Sequence, residues 1–222
     1  MSQTETTSSS VSEWESAYLR FETPEEEITK FIARLDKLGV RQWPDDWQIV
    51  ELFCGRGNGL HALERIGFRH LEGIDLSQRL VSEYRGTAKM HVGDCRSLPF
   101  ETASKDALIV QGGLHHLPEL PGDLDRTLAE AKRVLKPGGK FVAVEPWLTP
   151  FLSFVHFVSE RSLARAVSKK VEALHTMIVH ERATYENWLG RPGEILSIFE
   201  KHFVLEQKQI GRGKLMCVAS PR

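Results

Sequence analysis

A short apolar run followed by three glycines decides the fold: residues 48–59 read QIVELFCGRGNG. The segment from Gln48 to Phe53 predicts a buried β-strand, and Gly55, Gly57 and Gly59 follow it closely. Glycine lets the backbone approach a ligand, and the helix predicted after Gly59 presents free N–H groups in its first turn. The stretch therefore predicts a strand–loop–helix unit that accommodates a ligand carrying a negative group.

An aspartate at the end of the next predicted strand supports this interpretation. Asp75 stands twenty residues after Gly55 and ends the strand predicted from His70. A carboxylate at that place is able to hold both hydroxyl groups of a ribose. The alternative is a plain turn with a helix-capping aspartate before Ser77. Because the glycines and the aspartate fall in the expected elements together, a nucleotide site is favoured.

A third signal follows the third predicted strand, where Gly93, Asp94 and Cys95 precede the sequence RSLPF. Asp94 could accept a hydrogen bond from an adenine amino group, or it could be a turn residue after glycine. Dinucleotide sites usually read GxGxxG, but this chain reads GxGxG from Gly55. The spacing disfavours a nicotinamide-dependent oxidoreductase, which stays an alternative.

The rest of the chain alternates between strand and helix patterns. Strands are predicted at residues 48–53, 70–75, 88–92, 107–111 and 140–145, and a closing hairpin at residues 203–210 and 214–220. Apolar strands separated by helices predict a parallel sheet covered on both faces, to which the hairpin adds antiparallel strands. A capping box at Thr23 and Glu26 predicts a helix that ends at Gly39.

Composition limits the function classes. The 222 residues include 29 basic and 30 acidic side chains, for a net charge of −1. Such a balance does not predict binding to a nucleic-acid backbone. The three cysteines have no CxxC spacing, and the first ten residues do not resemble a signal peptide. The most apolar run is too short to span a bilayer. We therefore expect a cytoplasmic protein with no nucleic-acid partner and no membrane span.

Together these motifs resemble class I S-adenosylmethionine-dependent methyltransferases, in the style of the small-molecule, type 11-like enzymes. The resemblance rests on ELFCGRGNG, Asp75, the segment after Gly93, residues 106–116 and the sequence LKPGG at 135–139. It implies an α/β fold with a Rossmann-like seven-stranded mixed sheet, an antiparallel terminal hairpin, helices on both faces and a helical lid insertion. It also implies S-adenosylmethionine as the cofactor.

The resemblance further implies which residues bind the cofactor. The glycine loop contacts the methionine moiety, Asp75 the ribose, and Leu76, Asp94 and Cys95 the adenine. The predicted cofactor-binding residues are Tyr18, Glu51, Phe53, Gly55, Gly57, Gly59, Asp75, Leu76, Asp94, Cys95 and Gln111. The chain departs from the family pattern at Phe53, where glycine is usual. This bulky side chain must point either into the core or over the cofactor.

Three side chains are candidates for catalysis at the ends of the fourth and fifth strands. His115 or His116 could remove a proton from the acceptor, since imidazole titrates near neutral pH. Glu145 could act as a base or orient the acceptor. The alternatives are histidines that only close a turn and a glutamate that pairs with a basic residue. A metal site is disfavoured because neighbouring residues of an extended loop point apart and no third ligand is evident.

The chain divides into three predicted parts. Residues 1–10 form a disordered tail, residues 11–46 an N-terminal helical segment, and residues 47–222 the methyltransferase domain, with a lid at about 147–190. Tyr18 lies where similar enzymes close over the cofactor, although simple packing is the alternative. An aromatic-rich lid favours a small, apolar or aromatic methyl acceptor. A non-catalytic cofactor-binding module is the remaining alternative, and the sequence does not predict the oligomeric state.

Overall fold

The computed structural model describes residues 20–222, except for the side chains of residues 163–165, and places seven strands in one sheet. The strands are β1 Gln48–Leu52, β2 His70–Asp75, β3 Lys89–Val92, β4 Lys105–Gln111, β5 Leu135–Pro146, β6 Phe203–Gly211 and β7 Lys214–Pro221. Their order across the sheet is β3-β2-β1-β4-β5-β7-β6. Strands β1 to β5 are parallel, and β7 runs antiparallel to both of its neighbours. The predicted mixed sheet and terminal hairpin are confirmed.

The sheet changes direction at β1. The chain first continues to β2 and β3 on one side, and then to β4 and β5 on the other. At such a switch point the connections leave in opposite directions and open a crevice beyond the carboxyl ends of the strands. The glycine loop after β1 and the segment after β4 both begin at this crevice.

Eight α-helices cover or extend the sheet within the described residues. They are α1 Pro24–Lys37, α2 Asn58–Arg65, α3 Gln78–Glu83, α4 Gly122–Val134, α5 Pro150–Ser159, α6 Ser162–Val167, α7 Lys169–Leu189 and α8 Pro192–His202. The predicted capping box at the start of α1 is confirmed, because the Thr23 hydroxyl accepts from the Glu26 N–H and the Glu26 carboxylate accepts from the Thr23 N–H. Gly39 follows α1 in the left-handed conformation.

Two apolar cores lie on opposite faces of the sheet. Successive side chains of a strand alternate between faces, so Phe141 and Ala143 of β5 join one core while Val142 and Val144 join the other. Helices α4 and α8 cover the first face, and α1 and α2 cover the second. The prediction of helices on both faces is therefore confirmed.

The segment between β5 and β6 is helical, as expected for the region that includes the predicted lid. Trp188 near the end of α7 anchors it, since this indole is fully buried and donates its N–H to the Pro146 carbonyl at 2.8 Å. Helix α5 instead leaves Phe151, Phe154 and Phe157 more than half exposed. No helix among residues 20–222 has the length and apolar character needed to cross a membrane. The domain boundaries at residues 10 and 46 remain predictions.

Candidate functional site

The glycine loop leads from β1 into α2 through left-handed backbone. Gly55 has φ +50°, and Gly57, which precedes the first residue of α2, has φ +81°. A Cβ at Gly57 would lie 2.3 Å from the Tyr84 ring, and a Cβ at Gly59 would lie 1.6 Å from Oε1 of Glu51. A Cβ at Gly55 would meet nothing within 4 Å. Gly57 and Gly59 are therefore required by the packing of neighbouring side chains, whereas the space beside Gly55 is open.

Phe53 has the backbone conformation that explains the family preference for glycine there. Its φ is +55°, in the left-handed region that side chains other than glycine rarely adopt. The side chain packs on Gly113, where an added Cβ would lie 2.4 Å from both Cβ and Cγ of Phe53. Phe53 also contacts the core on the α4 face. Its ring thus joins the loop after β1 to the loop after β4.

Glu51 lies behind the glycine loop and is 3% exposed. Burial raises its pKa well above the usual value, and the nearby charges of Glu27 and Asp75 add to the effect. Its Oε2 atom has no hydrogen-bond partner within the described part of the chain. Glu51 is therefore a buried carboxyl group with a raised pKa, and its role at the cofactor stays a prediction.

Asp75 fastens the loop after β1 to the start of α3. Its Oδ2 accepts from the Gly55 N–H at 2.9 Å, and its Oδ1 accepts from the Ser77 N–H at 2.8 Å. Each carboxylate oxygen keeps a second lone pair for a further donor. Asp75 is thus held at the carboxyl end of β2, where the sequence predicted ribose binding.

The three predicted adenine contacts differ in their surroundings. Leu76 is 66% exposed, and Cys95 is buried with a pKa that burial raises to about 12. Both oxygens of Asp94 accept from Arg96, which lowers the pKa of this aspartate. Arg96 also pairs with Asp123 at 2.9 Å. An adenine amino group would therefore share Asp94 with Arg96, a neighbour that the sequence analysis did not consider.

Gln111 ends β4 beside the switch point. Its side-chain Oε1 and Nε2 atoms are both buried, and neither has a hydrogen-bond partner among residues 20–222. Buried amides are normally hydrogen-bonded, so two unpaired atoms on one side chain indicate a missing ligand or water. The predicted contact from Tyr18 lies outside the described residues.

Glu145 and His115 form a buried pair at the ends of β5 and β4. Glu145 is fully buried, and its Oε1 accepts from the N–H groups of Gly113 at 2.9 Å and Leu114 at 2.8 Å. Its Oε2 lies 2.8 Å from Nδ1 of His115. A carboxylate only accepts, so the neutral tautomer that fits this contact carries its proton on Nδ1 and its lone pair on Nε2. Glu145 is thus arranged to position His115.

His115 and His116 do not point apart, because their segment is a 3₁₀ turn from Leu114 to His116 and not an extended loop. The two ring centroids are 4.0 Å apart. Glu181 of α7 approaches both rings, with one oxygen 4.0 Å from Nε2 of His115 and the other 3.8 Å from Nδ1 of His116. Loss of surrounding water lowers the pKa of His116, and neighbouring His115 lowers it further.

Glu181 and Tyr185 were not predicted from the sequence, and the ring centroid of Tyr185 is 6.0 Å from that of His115. The two residues are four positions apart, so they share one face of α7. This spacing was a usable signal, but it does not say where the face points. Tyr185 and His156 of α5 are hydrogen-bonded at 3.1 Å and border a lid cavity of about 270 Å³.

Known sequences resemble the part of the chain that builds this site. Residues 50–143 match the model of the methyltransferase domain. The ubiquinone/menaquinone biosynthesis C-methyltransferase UbiE of Rubrivivax gelatinosus is 33% identical over 151 residues, 64% of this chain and 58% of that protein. A sarcosine/dimethylglycine N-methyltransferase of Aphanothece halophytica is 29% identical over 143 residues, 58% of this chain and 50% of that protein. The chain spans about half the length of the curated relatives it matches.

Solved structures share the fold. The PH0226 protein from Pyrococcus horikoshii has a TM-score of 0.67 at 21% identity, covering 92% of this chain and 96% of that one. A TehB-like SAM-dependent methyltransferase from Corynebacterium glutamicum has a TM-score of 0.57 at 16% identity, covering 84% and 86%. The domain match over residues 50–143 and the shared seven-stranded fold support the resemblance of this chain to class I S-adenosylmethionine-dependent methyltransferases.

Proposed function

We propose that this protein transfers a methyl group from S-adenosylmethionine to a small apolar or aromatic acceptor. The observation that carries the proposal is the unpaired, buried amide of Gln111, which lies at the switch point beside the family's cofactor loop. A ligand that fills the open space next to Gly55 would supply polar partners at this edge.

The residues at the edge fit the cofactor. Asp75 would accept from the ribose hydroxyl groups through its second lone pairs, and the free side of the Gly55 backbone would lie along the methionine moiety. Leu76 and Cys95 would flank the adenine, with Asp94 as a shared acceptor. Gln111 would hydrogen-bond to the bound cofactor or acceptor. When bound, S-adenosylmethionine supplies a sulfonium-activated methyl group for in-line displacement.

His115 is the group we assign to acceptor activation. Its Nε2 atom has the lone pair that takes a proton, because Glu145 holds the other ring nitrogen protonated. Glu145 is a positioning residue in this proposal and not a base, since both of its oxygens already accept hydrogen bonds. His116 is the neighbouring histidine, and its imidazole is 40% exposed.

The lid favours an apolar or aromatic acceptor. Tyr185 contacts His115 and also lines the cavity between α5 and α7. The apolar part of this cavity consists of Leu148, Ile178 and Leu189, and Glu160, Arg182 and Glu186 add charged groups at its wall. A small molecule with an apolar body and a polar group fits such a lining. The relatives are named for C-methylation and N-methylation, so the atom that accepts the methyl group is left to experiment.

Calorimetric titration with S-adenosylhomocysteine tests the cofactor half of the proposal. We expect binding to the full chain and at least about a tenfold loss in Asp75→Ala, because charge-assisted hydrogen bonds to both ribose hydroxyls would be lost. Asp46→Ala is the matched control, since Asp46 is an exposed aspartate before β1. Absence of binding in the wild type, or equal affinity in the two variants, would overturn the assignment.

Transfer of a labelled methyl group tests the catalytic half. With candidate apolar and aromatic hydroxy or amino compounds at saturating S-adenosylmethionine, we expect turnover by the wild type and a loss of about 100-fold in His115→Ala. Cofactor binding without transfer to any acceptor class would instead indicate a non-catalytic module. Stabilisation by NAD(H) in place of S-adenosylhomocysteine would favour the oxidoreductase alternative.

A further inference from the structure

Three potential metal ligands meet beside the proposed acceptor site. They are Nε2 of His115, Nδ1 of His116 and the carboxylate of Glu181, and their ligand atoms all lie within 4.8 Å of one another. The two histidines come from the 3₁₀ turn after β4, whereas Glu181 comes from the middle of the lid helix α7. Two parts of the fold that are distant in sequence thus bring one acidic and two imidazole groups together.

Glu145 adds an independent observation. It is a fully buried carboxylate that accepts from Nδ1 of His115 and leaves the Nε2 lone pair directed away from it. A histidine that ligates a metal normally donates its other ring N–H to a carboxylate or carbonyl, which fixes the ring and its tautomer. Backbone N–H groups of Gly113 and Leu114 hold Glu145 in turn. The outer support that a metal-bound histidine requires is therefore already in place.

We propose that His115, His116 and Glu181 bind a divalent transition-metal cation such as Zn²⁺. Two imidazole nitrogens and a carboxylate form a ligand set suited to this ion, and the charges of Glu181 and Glu145 together balance it. The role we give the ion rests on the proposed function, because it places the cation beside the methyl acceptor.

The spacing requires small side-chain movements. Ligand atoms about 2.1 Å from one ion, in tetrahedral arrangement, lie about 3.4 Å apart. The two oxygens of Glu181 are 4.0 Å and 3.8 Å from the two histidine nitrogens, and no two ligand atoms are more than 4.8 Å apart. Side-chain rotations that shorten these separations by at most about 1.4 Å therefore close the site. The half-exposed ring of His116 turns more easily than the buried ring of His115.

Three protein ligands leave a coordination position for the acceptor, as in catalytic zinc sites. For an acceptor hydroxyl bound there, the O–H bond breaks and the proton passes to water, because the cation stabilises the oxygen anion. The oxygen then forms its bond to the methyl carbon as the S–CH₃ bond breaks, and sulfur keeps the electron pair. In this form of the protein His115 is a ligand, and the cation replaces it as the group that favours proton loss.

Cobalt substitution tests the site with a readout that does not depend on activity. The full chain is freed of metal with a chelator and titrated with Co²⁺, whose visible absorption reports its coordination, and Zn²⁺ is then added as competitor. We expect about one equivalent to bind and Zn²⁺ to displace it. Glu181→Gln and His116→Ala should each weaken binding by at least about tenfold, and Glu145→Gln by about 10–100-fold through the supporting hydrogen bond.

His180→Ala is the matched control, because this exposed histidine adjoins Glu181 but is not in the cluster. Calorimetry with S-adenosylhomocysteine on the same variants shows that they are folded. Equal Co²⁺ affinity in the wild type and Glu181→Gln, with cofactor binding intact, would overturn the metal site and leave the proposed function standing. Co²⁺ binding at the cluster without binding of S-adenosylhomocysteine would sustain the site and overturn the function.

Discussion

Glu51 and Glu145 are the same residue type at equivalent places, the last position but one of β1 and of β5, and both are buried. Strand alternation turns them to opposite faces of the sheet, Glu51 toward the glycine loop and Glu145 toward the turn after β4. Glu145 accepts three hydrogen bonds from protein groups, whereas Oε2 of Glu51 has no partner within the described residues.

This difference separates two uses of a buried carboxyl group. A fully bonded carboxylate organises its surroundings, and its removal leaves donors unsatisfied. A buried carboxyl group without sufficient hydrogen-bond donors favours its neutral, protonated form, because burial destabilises the negative charge. Residue type and strand position are equal in the two cases, so the neighbouring N–H groups and charges decide which use applies.

Glu145→Ala should have the largest effect on stability. It would leave the N–H groups of Gly113 and Leu114 and the Nδ1–H of His115 without an acceptor. We therefore expect a loss of about 3–5 kcal/mol in the free energy of unfolding. Urea unfolding measures it. Glu145→Gln should recover part of this stability but not turnover, because its NH₂ group faces Nδ1 and favours the other tautomer of His115. Recovery of turnover to the same extent as stability in Glu145→Gln would contradict a positioning role for Glu145.

Gly113→Ala should cause the second largest loss in the free energy of unfolding, since it forces apart the loops that follow β1 and β4. The new Cβ would lie 2.4 Å from Phe53, and overpacking of this kind costs about 2–3 kcal/mol. Phe53→Gly removes the obstructing atoms, so the double variant should tolerate Ala at position 113. A double-mutant cycle by thermal unfolding should give a coupling of more than about 1 kcal/mol. Additive effects would show that Phe53 does not join the two loops.

The same contrast shows how far the sequence could predict this molecule. Local patterns sufficed for the strands, the capping box at Thr23 and the glycine loop, because each depends on residues within one short segment. The Asp75 contact with Gly55 was also within reach, since parallel strands end at one edge. These predictions use the period of the strand and the helix, which the fold then preserves.

The remaining features depend on contacts between distant segments. No local pattern brings Glu181 of α7 to His115, 66 positions earlier, because that requires the lid helix to pack above β4. The direction of Phe53 was left between core and cofactor, and only the position of Gly113 shows that the ring packs against the next loop. The pairing of Asp94 with Arg96 was local but depends on the turn geometry after β3.

Gly59→Ala should lower the free energy of unfolding moderately, through a clash with the side chain of Glu51. The added Cβ would lie 1.6 Å from Oε1 of Glu51, but the carboxyl end of a side chain is able to move. We expect a loss of about 1–2 kcal/mol in the free energy of unfolding, with weaker binding of S-adenosylhomocysteine as the loop shifts. Calorimetry and thermal unfolding measure the two effects. Unchanged affinity would show that the loop adjusts without moving the cofactor.

Glu51→Gln should have the smallest effect, and one whose size depends on pH. The raised pKa of Glu51 means that the folded protein holds a proton that the unfolded chain releases above about pH 4.5. The contribution of Glu51 to the free energy of unfolding of the wild type therefore falls as the pH rises from about 4.5 toward the pKa of Glu51 in the folded state. Glutamine is a neutral group of similar shape and has no such dependence.

The difference in the free energy of unfolding, variant minus wild type, should accordingly increase with pH. We expect equal stability of the two proteins near pH 4.5 and an advantage of glutamine that grows as the pH rises toward 7. Urea unfolding across this range measures it, with Glu101→Gln as the control because Glu101 is exposed. Parallel curves would mean that folded Glu51 ionises as readily as the unfolded residue, so the contrast with Glu145 would then rest on hydrogen bonding alone.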